Sequence, residues 1–195
     1  MVPELSEDAG TYLIFDTETT SIFRTGGSPP RLVEMAWLIC DARGGVVERG
    51  NRVVCPEGFT IPGSASRIHG ITTGYARMVG VSVREALGDL ALVAKESSAI
   101  VTHNLRFDLA VIASECRRIG VPDPLAALPG ICTMESTAPF CRIRRGNGYK
   151  WPTLSELHQT LFGVPYAGVH RAASDAEACA RCFFALKRMS FWKML

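Results

Sequence analysis

Apolar runs typical of strands alternate along the chain with segments whose hydrophobic positions recur at helical spacing. Residues 11–15 (TYLIF), 32–40 (LVEMAWLIC), 45–54 and 98–102 (SAIVT) are rich in β-branched, aromatic and aliphatic side chains. This composition predicts four strands, of which the first is buried on both faces and ends at Asp16. The turn-forming segment 41–45 predicts a hairpin between the second and third strands.

Four helices are predicted from a hydrophobic period near 3.6 residues combined with capping signals. The first helix begins at Ser82, with Glu85 as its capping partner, and the second covers residues 106–119 and ends at Gly120 and Pro122. The third begins at Thr153 with Glu156 and ends at Gly163, and the fourth begins at Ser174 with Glu177. Strands come first and strand–helix alternation follows. That order predicts an α/β fold with a mixed β-sheet of about five strands flanked by α-helices.

The size and composition of the chain favour one globular domain. At 195 residues, 47% hydrophobic and 21% charged, it is long enough to form its own core. We expect a single domain over 1–195 with its core at about 11–190, and loops at 24–31 and 146–152. No internal repeat or low-complexity tract is visible.

Charge and cysteine content bear on the setting of the protein rather than on its chemistry. The net charge of +2 is only weakly basic, so the charge of the whole molecule does not identify a nucleic-acid binder. Seven scattered cysteines do not resemble a secreted disulfide framework. Glu4, Glu7 and Asp8 precede the first apolar stretch, which is the wrong charge for a signal peptide, and no apolar run is of membrane-spanning length. We expect an intracellular, cytoplasmic protein without a membrane segment.

The first chemical signal is the pair of carboxylates Asp16 and Glu18 at the end of the first strand. Alternate strand residues point the same way, so the two side chains converge on one side. Adjacent carboxylates repel each other unless a cation neutralises them or one is protonated, and a hard divalent ion such as Mg²⁺ suits them. A solvated strand end is the more common explanation of a lone pair of this kind.

Two further acids follow predicted element ends. Asp108 lies in the first turn of a helix after the segment His103–Asn104, and His170 precedes Asp175 by five residues at the start of the final helix. Favourable interaction with the helix dipole explains either aspartate alone. It does not explain why three separate element ends each carry an acid beside threonine, histidine or asparagine.

In this combination the sequence resembles the DnaQ-like 3′–5′ exonucleases of the DEDDh type, a family with a ribonuclease H-like fold. The three motifs span residues 12–180. The tyrosine-type branch of the family has a tyrosine four residues before the last aspartate, where this chain has Arg171, so the histidine branch matches.

The resemblance implies a phosphodiester hydrolase that releases nucleoside monophosphates from 3′ ends of DNA or RNA, with single strands preferred. Asp16, Glu18, Asp108 and Asp175 would hold two Mg²⁺ or Mn²⁺ ions, and His170 would be the general base. The residues expected to contact the terminal nucleotide are Thr17, Ile68, His69, His103 and Phe107. A DNA polymerase or a second copy of the chain is a possible partner.

A basic segment is a second candidate for contact with nucleic acid. Arg142, Arg144, Arg145 and Lys150 surround two glycines in an expected flexible loop. Such a loop could follow a phosphate backbone, or it could simply be a solvated surface loop.

Four alternatives remain open at this point. A haloacid dehalogenase-type phosphatase would have a second aspartate where Glu18 stands. A binding module could keep the fold without the chemistry, and an RNA-trimming exoribonuclease could use the same residues. Cys179 and Cys182, with Cys132 or Cys141, could form a structural zinc site, although core packing explains a Cys-x2-Cys pair inside an apolar helix.

Overall fold

A five-stranded sheet forms the centre of the molecule. The structure is a computed structural model that describes residues 10–166, 168 and 170–193. The strands are β1 (Tyr12–Thr19), β2 (Leu32–Cys40), β3 (Val46–Val53), β4 (Ala99–Thr102) and β5 (Gly130–Cys132). Their order is β3-β2-β1-β4-β5, with β1, β4 and β5 parallel and the β1–β2 and β2–β3 pairs antiparallel. The predicted mixed sheet flanked by helices is confirmed.

Helices cover both faces of the sheet. They are α1 (Gly63–His69), α2 (Thr73–Val79), α3 (Val83–Lys95), α4 (Leu105–Ile119), α5 (Thr133–Ser136), α6 (Ala138–Cys141), α7 (Leu154–Phe162) and α8 (Ala172–Arg188). A two-stranded hairpin, β6 (Arg144–Arg145) and β7 (Gly148–Tyr149), precedes α7, and a 3₁₀ turn (Phe191–Lys193) follows α8. In the part of the chain that the structure covers, no helix has both the length and the hydropathy needed to cross a membrane.

The central strand β1 contributes to two hydrophobic layers because its side chains alternate. Leu13 and Phe15 pack with the buried faces of α3 and α4. Tyr12 and Ile14 pack with α8 on the opposite face. This arrangement explains the continuous apolar run of the strand, and it brings α4 and α8 to opposite sides of the same strand.

Most predicted element limits agree with the structure. Ser82 accepts a hydrogen bond from the backbone of Glu85 at the start of α3, and Thr153 with Glu156 forms a reciprocal capping box before α7. Gly120 ends α4 in the left-handed conformation, as the sequence indicated. Strand β1 continues to Thr19, past its predicted end at Asp16, so both of its acids lie within the strand.

The predicted cap of the last helix is wrong. Ser174 lies inside α8, which begins at Ala172 with Arg171 as its N-cap residue. The Arg171 side chain makes no cap hydrogen bond, and the first N–H of the helix, from Ala172, donates instead to Glu34 Oε2 at 3.1 Å. The cap therefore comes from β2, which no local sequence signal could indicate.

The basic segment is also more regular than predicted. Part of the expected loop at 146–152 forms strand β7, which pairs with β6 so that Arg144 lies opposite Tyr149. Gly146 supplies the positive φ of +57° in the turn between them. The sequence interpretation also missed the short helices α1, α2, α5 and α6 and the three-residue strand β5, because such short elements display little periodicity.

Candidate active site

The carboxylates of Asp16 and Glu18 lie near the C-terminal end of β1. This is the edge of the sheet at which the parallel strands β4 and β5 also end. Both side chains are half-buried. The ends of strands in such sheets are common positions for ligand sites because loops and helix termini meet there.

Asp175 joins this pair from the first turn of α8. One carboxylate oxygen from each of Asp16, Glu18 and Asp175 lies within 4.8 Å of the other two. Residues separated by more than 150 positions are therefore brought into one cluster. Such a set of hard oxygen donors suits a divalent ion such as Mg²⁺ or Mn²⁺.

Asp108 approaches from the other layer of the fold. It lies in the first turn of α4, is 2% exposed, and accepts a 2.7 Å hydrogen bond from Thr17 Oγ1. Thr17 stands between the two acids of β1, so this bond fixes Asp108 relative to both. Asp108 is not in the group of three acids within 4.8 Å of one another, but its negative charge contributes, after burial, to the raised pKa of Asp16.

Burial is the largest cause of the raised pKa values of all four acids. It raises the pKa of Glu18 to about 8 and that of Asp108 to about 7. For Asp16, burial and then the charges of Asp108 and Asp175 raise the pKa well above its usual range. The pKa of Asp175 is raised by burial and lowered in part by Tyr166 and His170. Without a cation the cluster therefore retains protons near neutral pH.

The sequence interpretation missed a fifth acid, Glu34, which lies opposite Glu18 in the β1–β2 ladder and is fully buried. Arg171 donates to it from Nη2 to Oε1 at 2.6 Å and from Nε to Oε2 at 3.0 Å. Asn51 Nδ2 and the backbone N–H of Ala172 each donate at 3.1 Å. With four donors, Glu34 is a structural carboxylate rather than a free ligand. A charged residue within an otherwise apolar strand was the signal that could have identified it.

His170 stands directly before this ion pair. It is exposed and has a φ of +35°, in the left-handed region that few non-glycine residues adopt. Its imidazole is near enough to Asp175 to influence the pKa of that carboxylate. The predicted base is therefore an exposed residue whose charge reaches Asp175.

The residues predicted to contact the terminal nucleotide differ in accessibility. Ile68 is 60% exposed, and Phe107 is half-buried with its ring against Phe23. Thr17 and His69 are buried, and burial lowers the pKa of His69 while the charge of Glu34 acts against that shift. His103 uses both ring nitrogens, with Thr133 Oγ1 and the carbonyl of Pro152 each 3.0 Å away. Contact of these five side chains with substrate stays a prediction.

The cysteines do not form a metal site within the described residues. Cys179 and Cys182 are buried on α8, and the potential metal-binding group identified in that part of the chain contains only acids. Cys179 Sγ lies 3.7 Å from Thr133 Oγ1, as a packed core thiol would.

Comparison with known proteins identifies the family. The family model RNase_T, described as an exonuclease, matches residues 13–183. The chain therefore belongs to this exonuclease family, and its resemblance to DnaQ-like exonucleases of the DEDDh type is confirmed.

Relatives of this chain are longer proteins. The DNA polymerase III subunit epsilon-like protein of Rhodobacter capsulatus is 28% identical over 180 residues, which are 92% of this chain and 24% of that protein. Two structures of E. coli exonuclease I, in complex with a dA16 and a dT13 oligonucleotide, superpose with TM-scores of 0.74 at 19% and 21% identity. They cover 92% and 94% of this chain and 41% and 43% of exonuclease I. These similarities establish the shared fold.

Proposed function

We propose that this chain hydrolyses the terminal phosphodiester bond at the 3′ end of a nucleic acid and releases nucleoside monophosphates. The observation that carries the proposal is the convergence of Asp16, Glu18 and Asp175 within 4.8 Å at one edge of the sheet. Membership of an exonuclease family supports the same reaction.

Asp16, Glu18 and Asp175, with Asp108 beside Asp16, would hold two divalent ions. Four carboxylates balance the charge of two such ions. The raised pKa values of Glu18 and Asp108 indicate that, without the ions, these carboxyl groups are neutralised by protons instead. When bound, the ions would activate the attacking water and neutralise negative charge on the phosphate and the leaving 3′ oxygen. Oxygen ligands favour Mg²⁺ or Mn²⁺.

His170 would accept the proton of the attacking water. An imidazole is suited to this step because its usual pKa is close to the working pH, and an accessible position lets it reach the water and then release the proton to solvent. The neighbouring Arg171 is tied to Glu34, so the backbone on one side of His170 is held in place while its side chain is exposed.

Single-stranded DNA is the favoured substrate. The E. coli exonuclease I structures contain the DNA oligonucleotides dA16 and dT13, and the curated relative is named for a DNA polymerase subunit. The exposed Ile68 and the partly exposed Phe107 would contact the terminal base and sugar without reading the base. RNA is the second candidate, because the acids would act on the same phosphate chemistry. A DNA polymerase is the favoured partner, because the Rhodobacter capsulatus relative is named for a DNA polymerase subunit, and a second copy of the chain is the alternative.

Digestion of labelled strands tests the proposal. Single-stranded DNA, duplex DNA and RNA carrying a label at the 3′ or the 5′ end are incubated with Mg²⁺, Mn²⁺ or EDTA. We expect immediate release of labelled mononucleotide from the 3′-labelled single strand, a ladder of shortening products from the 5′-labelled strand, and neither in EDTA. Cleavage that begins at the 5′ end or proceeds in EDTA would contradict the proposal.

A further inference from the structure

The β6–β7 hairpin and the residues after it form a cleft of about 500 Å³ outside the acidic cluster. Its lining includes Met134, Arg145, Tyr149, Lys150, Trp151 and Pro152. We refer to this cleft as the aromatic ledge. None of the four acids and none of the residues predicted to contact the terminal nucleotide lines this cleft.

Two large aromatic side chains are exposed on the ledge. Tyr149 is 48% and Trp151 is 55% exposed. An exposed aromatic face next to a cation is a common means of stacking a nucleic-acid base. Both rings could therefore present a face to a base without recognising its identity.

The ledge and the residues that precede it in the chain also carry positive charge that is not neutralised locally. Arg142, Arg144 and Arg145 are exposed, and no carboxylate of a described residue forms an ion pair with them. Lys150 differs, because its Nζ lies 2.6 and 2.8 Å from the two carboxylate oxygens of Glu156. Arg145, which lines the cleft, is therefore the cation that can reach a phosphate group.

The ledge is held in place before any ligand binds. The Lys150–Glu156 ion pair ties it to the first turn of α7, and the backbone N–H of Lys150 donates to Ile143 at 2.9 Å. At its other side the carbonyl of Pro152 lies 3.0 Å from Nε2 of His103. A preformed surface costs less ordering entropy when a ligand binds.

The ledge and the acidic cluster lie at the same edge of the sheet. His103 directly follows β4, and Met134 lies two residues after the end of β5. Both strands are parallel to β1, whose C-terminal part carries Asp16 and Glu18. The strand β5 is two strand spacings, or roughly 10 Å, from β1. A single-stranded nucleic acid whose 3′ end lies at the acids can therefore extend its preceding nucleotides over the ledge.

We propose that the aromatic ledge binds the single-stranded substrate upstream of the cleaved bond, with Trp151 and Tyr149 stacking bases and Arg145 pairing with a phosphate. This inference rests on the proposed function, since it assigns the ledge to the same strand. It predicts that the length of the strand, rather than its sequence, determines how tightly it binds.

Oligonucleotide binding without hydrolysis tests the ledge separately from the chemistry. The affinity of fluorescein-labelled dT12 and dT2 is measured by anisotropy in EDTA, and the turnover of both is measured in Mg²⁺. Trp151→Ala and Arg145→Ala are compared with Trp151→Phe, which keeps a stacking ring, and with Leu92→Ala, which removes an exposed apolar side chain of α3.

We expect Trp151→Ala to weaken dT12 binding roughly tenfold, in line with the loss of one base–aromatic stack. Arg145→Ala should weaken it less and reduce its salt dependence, while Trp151→Phe and Leu92→Ala should bind as the parent does. Turnover of dT2, which is too short to reach the ledge, should stay unchanged in every variant.

Parental affinity of Trp151→Ala and Arg145→Ala for dT12 would overturn the proposal that the ledge binds the substrate, and it would leave the proposed function intact. An equal loss of dT2 and dT12 turnover would also overturn it, because the substitutions would then be acting on the catalytic site itself. If the parent binds dT12 through Trp151 but hydrolyses nothing in Mg²⁺, the ledge is supported and the proposed function fails.

Discussion

Arg171 holds the buried Glu34 through two hydrogen bonds of 2.6 and 3.0 Å, and it stands between His170 and the first residue of α8. Because Glu34 also accepts the backbone N–H of Ala172, one carboxylate from β2 fixes the beginning of the helix that carries Asp175. The pair therefore determines the relative positions of the predicted base and one of the three clustered acids.

The first prediction concerns this pair. Replacing Glu34 with Gln leaves the Arg171 charge without its counterion and weakens the hold on α8. We expect turnover to fall roughly 10- to 100-fold with little change in KM, the range seen when residues that orient metal ligands are altered. We also expect the free energy of unfolding to fall by about 1–3 kcal/mol, less than for a fully buried pair, because Arg171 is partly exposed.

Arg49→Gln provides the matched control, because the Arg49–Glu177 pair is exposed on both sides. It should change the stability by less than about 0.5 kcal/mol. Parental turnover of Glu34→Gln, or a defect confined to KM, would show that the Glu34–Arg171 pair does not position the catalytic groups.

The second prediction concerns His170. Replacement with Ala removes the proposed proton acceptor without removing a buried contact, because the side chain is exposed. We expect turnover to fall by roughly 10²-fold or more, and oligonucleotide affinity measured in EDTA to stay within about twofold. Digestion of the oligonucleotide at the parental rate would assign the base to another group.

The third prediction concerns Thr17. Replacing it with Val keeps the shape but removes the 2.7 Å hydrogen bond to Asp108, which is one of the contacts that lower the pKa of this buried acid. Asp108 should then hold its proton more tightly, and turnover at neutral pH should fall about tenfold. The loss should shrink at higher pH, which a pH–rate profile would reveal.

Thr160→Val, which makes the same chemical change on the surface of α7, should leave the profile as it is in the parent. A Thr17→Val profile that coincides with the parental one would contradict the proposed role of this hydrogen bond.

The fourth prediction concerns pH and metal. In the fold the pKa of Glu18 is about 8 and that of Asp108 about 7, against ordinary values of 4.5 and 3.8. Both groups bind protons more tightly in the folded than in the unfolded chain. The favourable contribution of these two groups to the free energy of unfolding is therefore complete at low pH and is lost as pH rises through 7 to 8.

In EDTA, we expect the melting temperature to fall by roughly 5 °C between pH 5 and pH 8. Mg²⁺ should raise it more at pH 8 than at pH 5, since an ion binds only the deprotonated acids. Asp108→Asn should reduce the pH dependence. Calorimetric scans that show no dependence on pH in EDTA would contradict the electrostatic account of the cluster.

The sequence predicts the elements whose signals are local. The apolar run of β1, the Thr153–Glu156 capping box and the terminating Gly120 each act within a few residues, and each is found as predicted or extended by a few positions. The family motif likewise indicated which acids to consider. Asp16 and Glu18 share strand β1, and Asp175 lies in the first turn of α8, so each part of the motif is short and local.

The features that the sequence did not reveal depend on contacts between distant segments. Ser174 resembled a cap, but Glu34 on β2 supplies the cap from 138 positions away and shifts the start of α8 to Ala172. The segment that follows the hairpin at Arg144–Tyr149 is likewise placed by a distant contact, since the carbonyl of Pro152 lies 3.0 Å from Nε2 of His103. A local pattern cannot specify such partners, because they meet only when the sheet has formed.

The central claim is that acids from separate parts of the chain act together on the terminal phosphodiester. Single-turnover release of the terminal nucleotide from 3′-labelled single-stranded DNA in Mg²⁺ tests it most directly, with Asp16→Asn and Asp175→Asn beside the exposed control Asp41→Asn. We expect each cluster variant to lose roughly a thousandfold in rate, equivalent to several kcal/mol of transition-state stabilisation, and Asp41→Asn to match the parent. Parental rates in Asp16→Asn and Asp175→Asn would contradict the account.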